Sequence, residues 1–248
     1  MKNAKPQMVA LALLVSVACT STENRAPSSP SSSESSDVQI LAASDCPHFD
    51  CGGPLEPGQY QAAYFDPTIA FEIATPGWTW SYRGSFAMIG DEFSAGALYS
   101  SDGIYFLRDP AIASQDCDES VERGVGRSVD DLVAWLDAAP GLATSEPTPV
   151  TVGGLDGMLI DIQLDPEWKR PCFFSEELPA VPLIFRGTRI GGYHWAIGPD
   201  QLMRWYILDS DDGVIIVDIE DNPDGLSRDE LLGTSADIVD SIAFSSSS

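Results

Sequence analysis

The chain has 248 residues, 44% hydrophobic, 9% aromatic and 21% charged, the profile of a globular protein of one or two domains. Thirty-eight acidic residues against 13 basic ones leave a net charge of −25. A surface this negative repels phosphate backbones and anionic lipid, which excludes nucleic-acid binding and docking through a polybasic patch.

Residues 1–18 read as a signal peptide. Lys2 and Lys5 supply a positive start, and Met8 to Ala18 form an apolar run too short to span a bilayer as a helix. The run ends in Ser16-Val17-Ala18-Cys19, which resembles a bacterial lipobox, the motif whose cysteine receives the lipid and becomes the first residue. Ser16 departs from that pattern, which prefers Leu three positions before the cysteine. The expectation is a domain anchored by lipid at Cys19 on the extracytoplasmic face of a bacterial membrane. The alternative is a soluble secreted protein cut after Ala18. Residues 19–44 then form a tether: from Thr20 to Ser36, eight of 17 residues are Ser, with almost nothing apolar to drive ordering.

Four further cysteines fit an oxidising compartment: Cys46, Cys51, Cys117 and Cys172. Three connectivities are open, of which a local Cys46–Cys51 loop and a long-range Cys117–Cys172 staple are favoured. Chain entropy would give them about 2 and about 4 kcal/mol. Cys46, His48 and Cys51 also offer two sulfurs and an imidazole, but zinc needs further ligands close by.

Residues 45–244 contain no second low-complexity break and no repeat, so they are expected to form one domain, followed by a serine tail at 245–248. Thr68 to Ala74 alternates with Ile69, Phe71 and Ile73 on one face. Pro76-Gly77 then turns the chain into an alternating run from Trp78 to Tyr82. Ile104 to Leu107 follows a Ser-Asp-Gly turn. Val150 to Val152 and Met158 to Leu164 form a hairpin across a longer loop, and Arg189 to Ile197 is a further candidate strand. The clearest hairpin joins Gln201–Leu208 to Val214–Ile219.

Two helices stand out. Ser128-Val-Asp-Asp131 opens one that ends at Pro140-Gly141, and Ser227-Arg-Asp-Glu230 opens another. The order predicts an α+β fold, an antiparallel β-sheet with two or more helices packed on it.

Gly58-x-Tyr60, Phe65-x-Pro67-x-Ile69-x-Phe71, Pro76-Gly77-Trp78, Ser128 to Leu142, Pro149 to Gly154 and the closing Asp237 to Phe244 resemble a pattern of actinobacterial secreted lipoproteins. The layout is also similar to PsbP-like folds, including the LpqN-type mycobacterial lipoproteins. The resemblance covers about residues 54–244. It implies a PsbP-like, non-enzymatic domain that binds a partner or ligand, and it brings no catalytic residue with it.

The chemistry-bearing residues are few. Nucleophilic hydrolysis needs a base beside Ser or Cys. Only His48 and His194 are available, His194 lies within a strand-like run, and no G-x-S-x-G elbow occurs. No catalytic residue and no cofactor are assigned. Paired carboxylates of a glycoside-type hydrolase remain the alternative in a chain so rich in acids. A second alternative is an acidic calcium-binding domain. Glu220, Asn222 and Asp224 occupy the first, third and fifth positions of an EF-hand-like loop, although Glu220 replaces Asp and Leu231 stands in the twelfth position. The same reading lets Asp209, Asp211 and Asp212 act together with this loop. If a ligand pocket exists, it is expected between the sheet and the 128–139 helix, lined by Tyr105, Trp135 and Trp205. The expected partners are the membrane through the anchor, and an envelope protein or a small apolar ligand.

Overall fold

A computed structural model describes residues 38–41, 51–62, 65–83, 86–91, 102–118, 120–186, 193–223 and 225–245. These belong to one unit, Ser36–Ser248. Cys19, Cys46, His48 and Asp224 lie outside the described residues, as do the side chains of Cys51 and His194.

The α+β expectation is overturned: the fold is mostly β, 48% strand and 15% helical, with two helices and several sheets among the described residues. The reason lies in segments without a helical period. They are short, rich in Gly, Pro, β-branched and aromatic residues, and they pair as strands wherever a neighbour offers an edge.

The largest sheet has nine strands, all paired antiparallel. Its first half runs β2 (Cys51–Leu55), β5 (Trp78–Arg83), β6 (Phe86–Asp91) and β7 (Gly103–Arg108). Its second half runs β15 (Gly213–Glu220), β14 (Leu202–Ser210), β11 (Leu155–Leu164) and β10 (Thr148–Val152), with β9 (Leu142–Thr144) also beside β11. The halves meet at one seam, β7 against β15, where Tyr105 pairs with Asp218 and Leu107 with Ile216. The second half is built from the expected hairpins, with tighter turns. Gly153 and Gly154, at φ 59° and 86°, close β10 onto β11 in two residues, a conformation that glycine adopts without a Cβ clash.

A four-stranded sheet, β1 (Gln39–Leu41), β3 (Gly58–Ala62), β4 (Thr68–Ile73) and β16 (Ala243–Ser245), packs on one face of the large sheet. Pro76-Gly77 therefore carries the chain from one sheet to another instead of closing a hairpin. Tyr60, Ile69, Phe71 and Ile73 meet Ile104, Phe106, Val217 and Ile219 there, and helix α2 (Arg228–Ser241) adds Leu231, Ile238 and Val239. A three-stranded sheet, β8 (Ala111–Ile112), β12 (Val181–Arg186) and β13 (Tyr193–Ile197), packs on the opposite face with helix α1 (Val129–Ala138). Val181, Leu183, Ile184, Leu132 and Leu136 meet Ile160, Ile162, Met203, Trp205 and Ile207.

Both helices begin where the sequence implied. Ser128 Oγ accepts from Asp131 N at 3.1 Å while the Asp131 carboxylate accepts from Ser128 N at 3.2 Å, a reciprocal cap. At the second start Glu230 Oε2 accepts from Ser227 N and from Ser227 Oγ, at 3.3 and 2.6 Å. These bonds pull the Asp131 and Glu230 carboxyls below their ordinary range. The Cys117–Cys172 disulfide is present, with Cα atoms 5.4 Å apart, and it staples two loops at the rim of the three-stranded sheet.

Candidate functional site

An open groove of about 560 Å³ runs between the start of α1, the β10–β11 hairpin and the end of β14. Its apolar side comes from Val129, Pro149, Val150 and Met158; Asp130, Asp156 and Asp209 supply the acids. The volume falls in the range of small-molecule sites. Each wall has a local cause. The capping box sets the first turn of α1, the tight Gly153-Gly154 turn lifts the hairpin, and Asp209 is the penultimate residue of β14. Thr151 Oγ1 donates to Asp156 Oδ1 at 2.7 Å and fixes that carboxylate across the hairpin. Among the described residues no basic side chain lines the groove, and its acids suit a ligand that combines an apolar body with positive charge.

None of the three pocket residues expected from sequence lines this groove. Tyr105 and Trp205 lie instead in a row across three strands of the large sheet, each paired directly with Asp218. Asp218 and Trp205 are fully buried, and Tyr105 nearly so. Trp195, on β13, stands edge-on to Tyr105 with ring centroids 4.6 Å apart, and its Nε1 donates to Asp218 Oδ2 at 3.0 Å. Trp135, on α1, is half-buried against the same cluster. These aromatic residues close the core over a carboxyl group and do not open a pocket beside α1.

That carboxyl group carries the most perturbed chemistry of the site. Burial pushes Asp218 up to about 8, against the favourable pull of the Trp195 and Trp205 indoles. The Trp205 indole is turned toward Asp218 but stands outside hydrogen-bonding geometry. Trp205 Nε1 and Asp218 Oδ1 therefore both lack a partner. Glu220, two residues on and so on the same face, is also buried. Its carboxyl is raised well above its ordinary value by burial first, then by Asp218, Asp221 and Asp102. At neutral pH Asp218 is mainly a neutral acid, able to donate a hydrogen bond as well as accept one.

No family model matches this chain, and no curated protein is recognisably similar to it. The site must be read from its own residues.

The loop after β15 shows how the other acids are used. Asn222 N and Leu226 N both donate to the buried Asp102 carboxylate. Gly225 lies so close to that carboxylate that a Cβ would collide with it. Asp221 accepts from Leu202 N and from Arg228 Nε, the latter at 3.2 Å. Of the calcium-loop candidates, Glu220 points into the sheet core and Asn222 gives its N–H to an anion; Asp224 lies outside the described residues. The loop turns backbone donors toward a carboxylate, the polarity opposite to that of a cation cradle. Among the described residues, no group of three or more His, Cys, Asp or Glu side chains is placed to hold a metal ion.

Asp218 was missed as special from sequence because acids are so common here, and Glu220 stood out only as a calcium-loop position. The available signal was position. Val214 to Ile219 is apolar on both faces of the strand except at Asp218, so that acid falls inside a strand reading as central and fully buried.

Proposed function

We propose that the chain is a non-catalytic, extracytoplasmic binding module, held by lipid at Cys19, that takes an envelope component or a small ligand in the groove beside α1. The observation that carries this reading is the separation of perturbed chemistry from accessible space. Asp218, whose proton affinity would suit acid–base work, is sealed beneath Trp195, whereas the open groove holds Asp130, Asp156 and Asp209 around an apolar floor. The lipobox-like Cys19, the serine-rich tether and the resemblance to actinobacterial secreted lipoproteins support the address. No helix among the described residues is long and apolar enough to cross a membrane.

Native mass spectrometry of the protein released gently from its own membrane tests both parts. The expected result is an acyl mass on the fragment beginning at Cys19, and a retained molecule that is lost when Met158 is replaced by Asp. An unmodified Cys19 fragment and a mass that Met158→Asp leaves unchanged would overturn it.

One observation favours a second reading. Asp218 and Glu220 set two buried carboxyl groups two residues apart on one strand face, and a pair of carboxyl groups is the residue set that a glycoside-type hydrolase uses. Turnover on a glycoside panel that disappears in Asp218→Asn, with the fold intact by circular dichroism, would establish that reading in place of the first.

A further inference from the structure

The five large hydrophobic side chains exposed among the described residues are not scattered. Val38 and Ile40 flank or lie on β1, whereas Val121, Phe173 and Leu178 occupy the two loops that the Cys117–Cys172 disulfide joins. Phe173 is 67% exposed and Leu178 59%, and the Phe174 ring stands edge-on to Phe173 at 5.3 Å. Exposed apolar side chains gathered on one protrusion mark an interaction surface more often than isolated ones do.

The protrusion is built to keep its shape. Its neck is closed by the Pro171–Pro179 bridge and by Ala180 N donating to Arg170 O at 3.1 Å. Inside it, Ser175 Oγ accepts from Cys172 N at 3.0 Å and lies 2.6 Å from Leu178 O as donor. An Arg170–Asp116 ion pair at 3.7 Å crosses between the same two loops as the disulfide. Among the described residues five non-glycine residues have positive φ; Glu176 at 49° and Glu177 at 72° lie at the tip of the protrusion, and Cys117, at 59°, lies across the disulfide. L-residues rarely adopt this conformation, and two in succession hold the tip in a shape that a relaxed loop would abandon. A rigid apolar tip loses little freedom on docking.

Charge selects the occupant. Glu176 and Glu177 are exposed at the tip, and the chain as a whole carries −25. An anionic membrane and a second copy of the chain would both meet like charge there, whereas a cleft with a basic rim would be drawn to it. We propose that the 171–179 protrusion is a docking surface for a partner protein that presents an apolar cleft bordered by Lys or Arg, with Phe173 and Leu178 entering the cleft. This surface is separate from the groove beside α1 and goes beyond the function proposed from it.

The test places the photo-crosslinking residue p-benzoylphenylalanine at position 173 of the full chain in cells that make it, with a second probe at Met158 reporting the groove. The expected result is one adduct from position 173 whose crosslinked peptide contains apolar residues flanked by Lys or Arg. That adduct should fall about tenfold in Glu176→Lys/Glu177→Lys, with the Met158 adduct unchanged. Adducts confined to lipid, an adduct of doubled chain mass, or a protein adduct indifferent to the charge reversal would each overturn the proposal. A lost Met158 adduct with an intact position-173 adduct would count against the groove alone. Sedimentation with phosphatidylglycerol vesicles supplies an independent check: binding of the unaltered chain that Phe173→Ser removes would assign the tip to a membrane and overturn the proposal.

Discussion

On the face of the nine-stranded sheet that α2 covers, the described buried side chains of the sheet are apolar without a break, from Trp78 and Trp80 through Ile104 and Phe106 to Val217 and Ile219. On the face that α1 covers, the same strands set Asp218 and Glu220 among Leu107, Met203, Trp205 and Ile216. The first face is held by burial alone, whose strength does not depend on proton concentration. The second holds two carboxyl groups that must keep their protons to stay buried cheaply. One sheet therefore has a layer indifferent to pH and a layer that is not, and the difference can be measured.

The largest expected effect is the pH dependence of the α1 face. An unfolded chain ionises an aspartate near its ordinary value of 3.8, whereas folded Asp218 holds its proton to about 8. Below about pH 4 both states are protonated and burial costs nothing extra. Between the two values only the folded state holds the proton, so stability falls by up to about 1.4 kcal/mol per pH unit as pH rises. Above about 8 the loss is complete, in total of the order of 5 kcal/mol, and Glu220 acts in the same direction. Urea unfolding should show greater stability at pH 5 than at pH 8. Asp218→Asn should remove most of that slope; a slope unchanged in the variant would show that the two layers do not differ in this way.

Next in size is Phe106→Ala, which empties the apolar face and should cost about 4 kcal/mol at pH 5 and pH 8 alike. A cost that changed with pH would mean that the faces are not independent. Leu136→Ala removes a fully buried contact of α1 and should cost about 3 kcal/mol. If both substitutions shift a single transition seen by tryptophan fluorescence and by far-ultraviolet circular dichroism, the layers unfold as one unit. The smallest effect is at the caps. Ser128→Ala should cost about 1 kcal/mol, and Ser227→Ala at the other helix less, because only Ser128 combines an accepted bond from the helix with the reciprocal one. Thermal denaturation of the two variants side by side checks the order.

Local features of the fold were legible because their causes lie within a few residues. Ser128 and Asp131, or Ser227 and Glu230, bond across three positions, and Gly153-Gly154 turns a hairpin without help from elsewhere. What decides between sheets is not local. Nothing within Pro76-Gly77 distinguishes a hairpin from a corner, since the choice depends on whether β3 or β5 is the better neighbour for β4. Strands such as β2, with Gly52, Gly53 and Pro54, and β12, with Pro182, carry too little local strand signal to be read, and pairing supplies the rest. Tyr105 and Trp205 were expected to line a pocket, but the contact of Tyr105 with Trp195 and that of Trp205 with the core of the α1 face come from elements distant in the chain. The role of Asp218 was hidden by its likeness to dozens of solvated acids. The groove was invisible for another reason: its walls come from three elements far apart in the chain.

The seam between β7 and β15 also bears on how the chain reaches this structure. On either side of it, neighbouring strands are brought together by comparatively short connections, yet the seam itself pairs residues more than a hundred positions apart. Closing the longer loop costs more entropy than closing the shorter ones, so the seam is the contact whose formation gains most from strands already paired on either side. Forming it buries Asp218 against Tyr105, so the proton that Asp218 keeps in the folded state is held at the place where the two halves of the sheet meet.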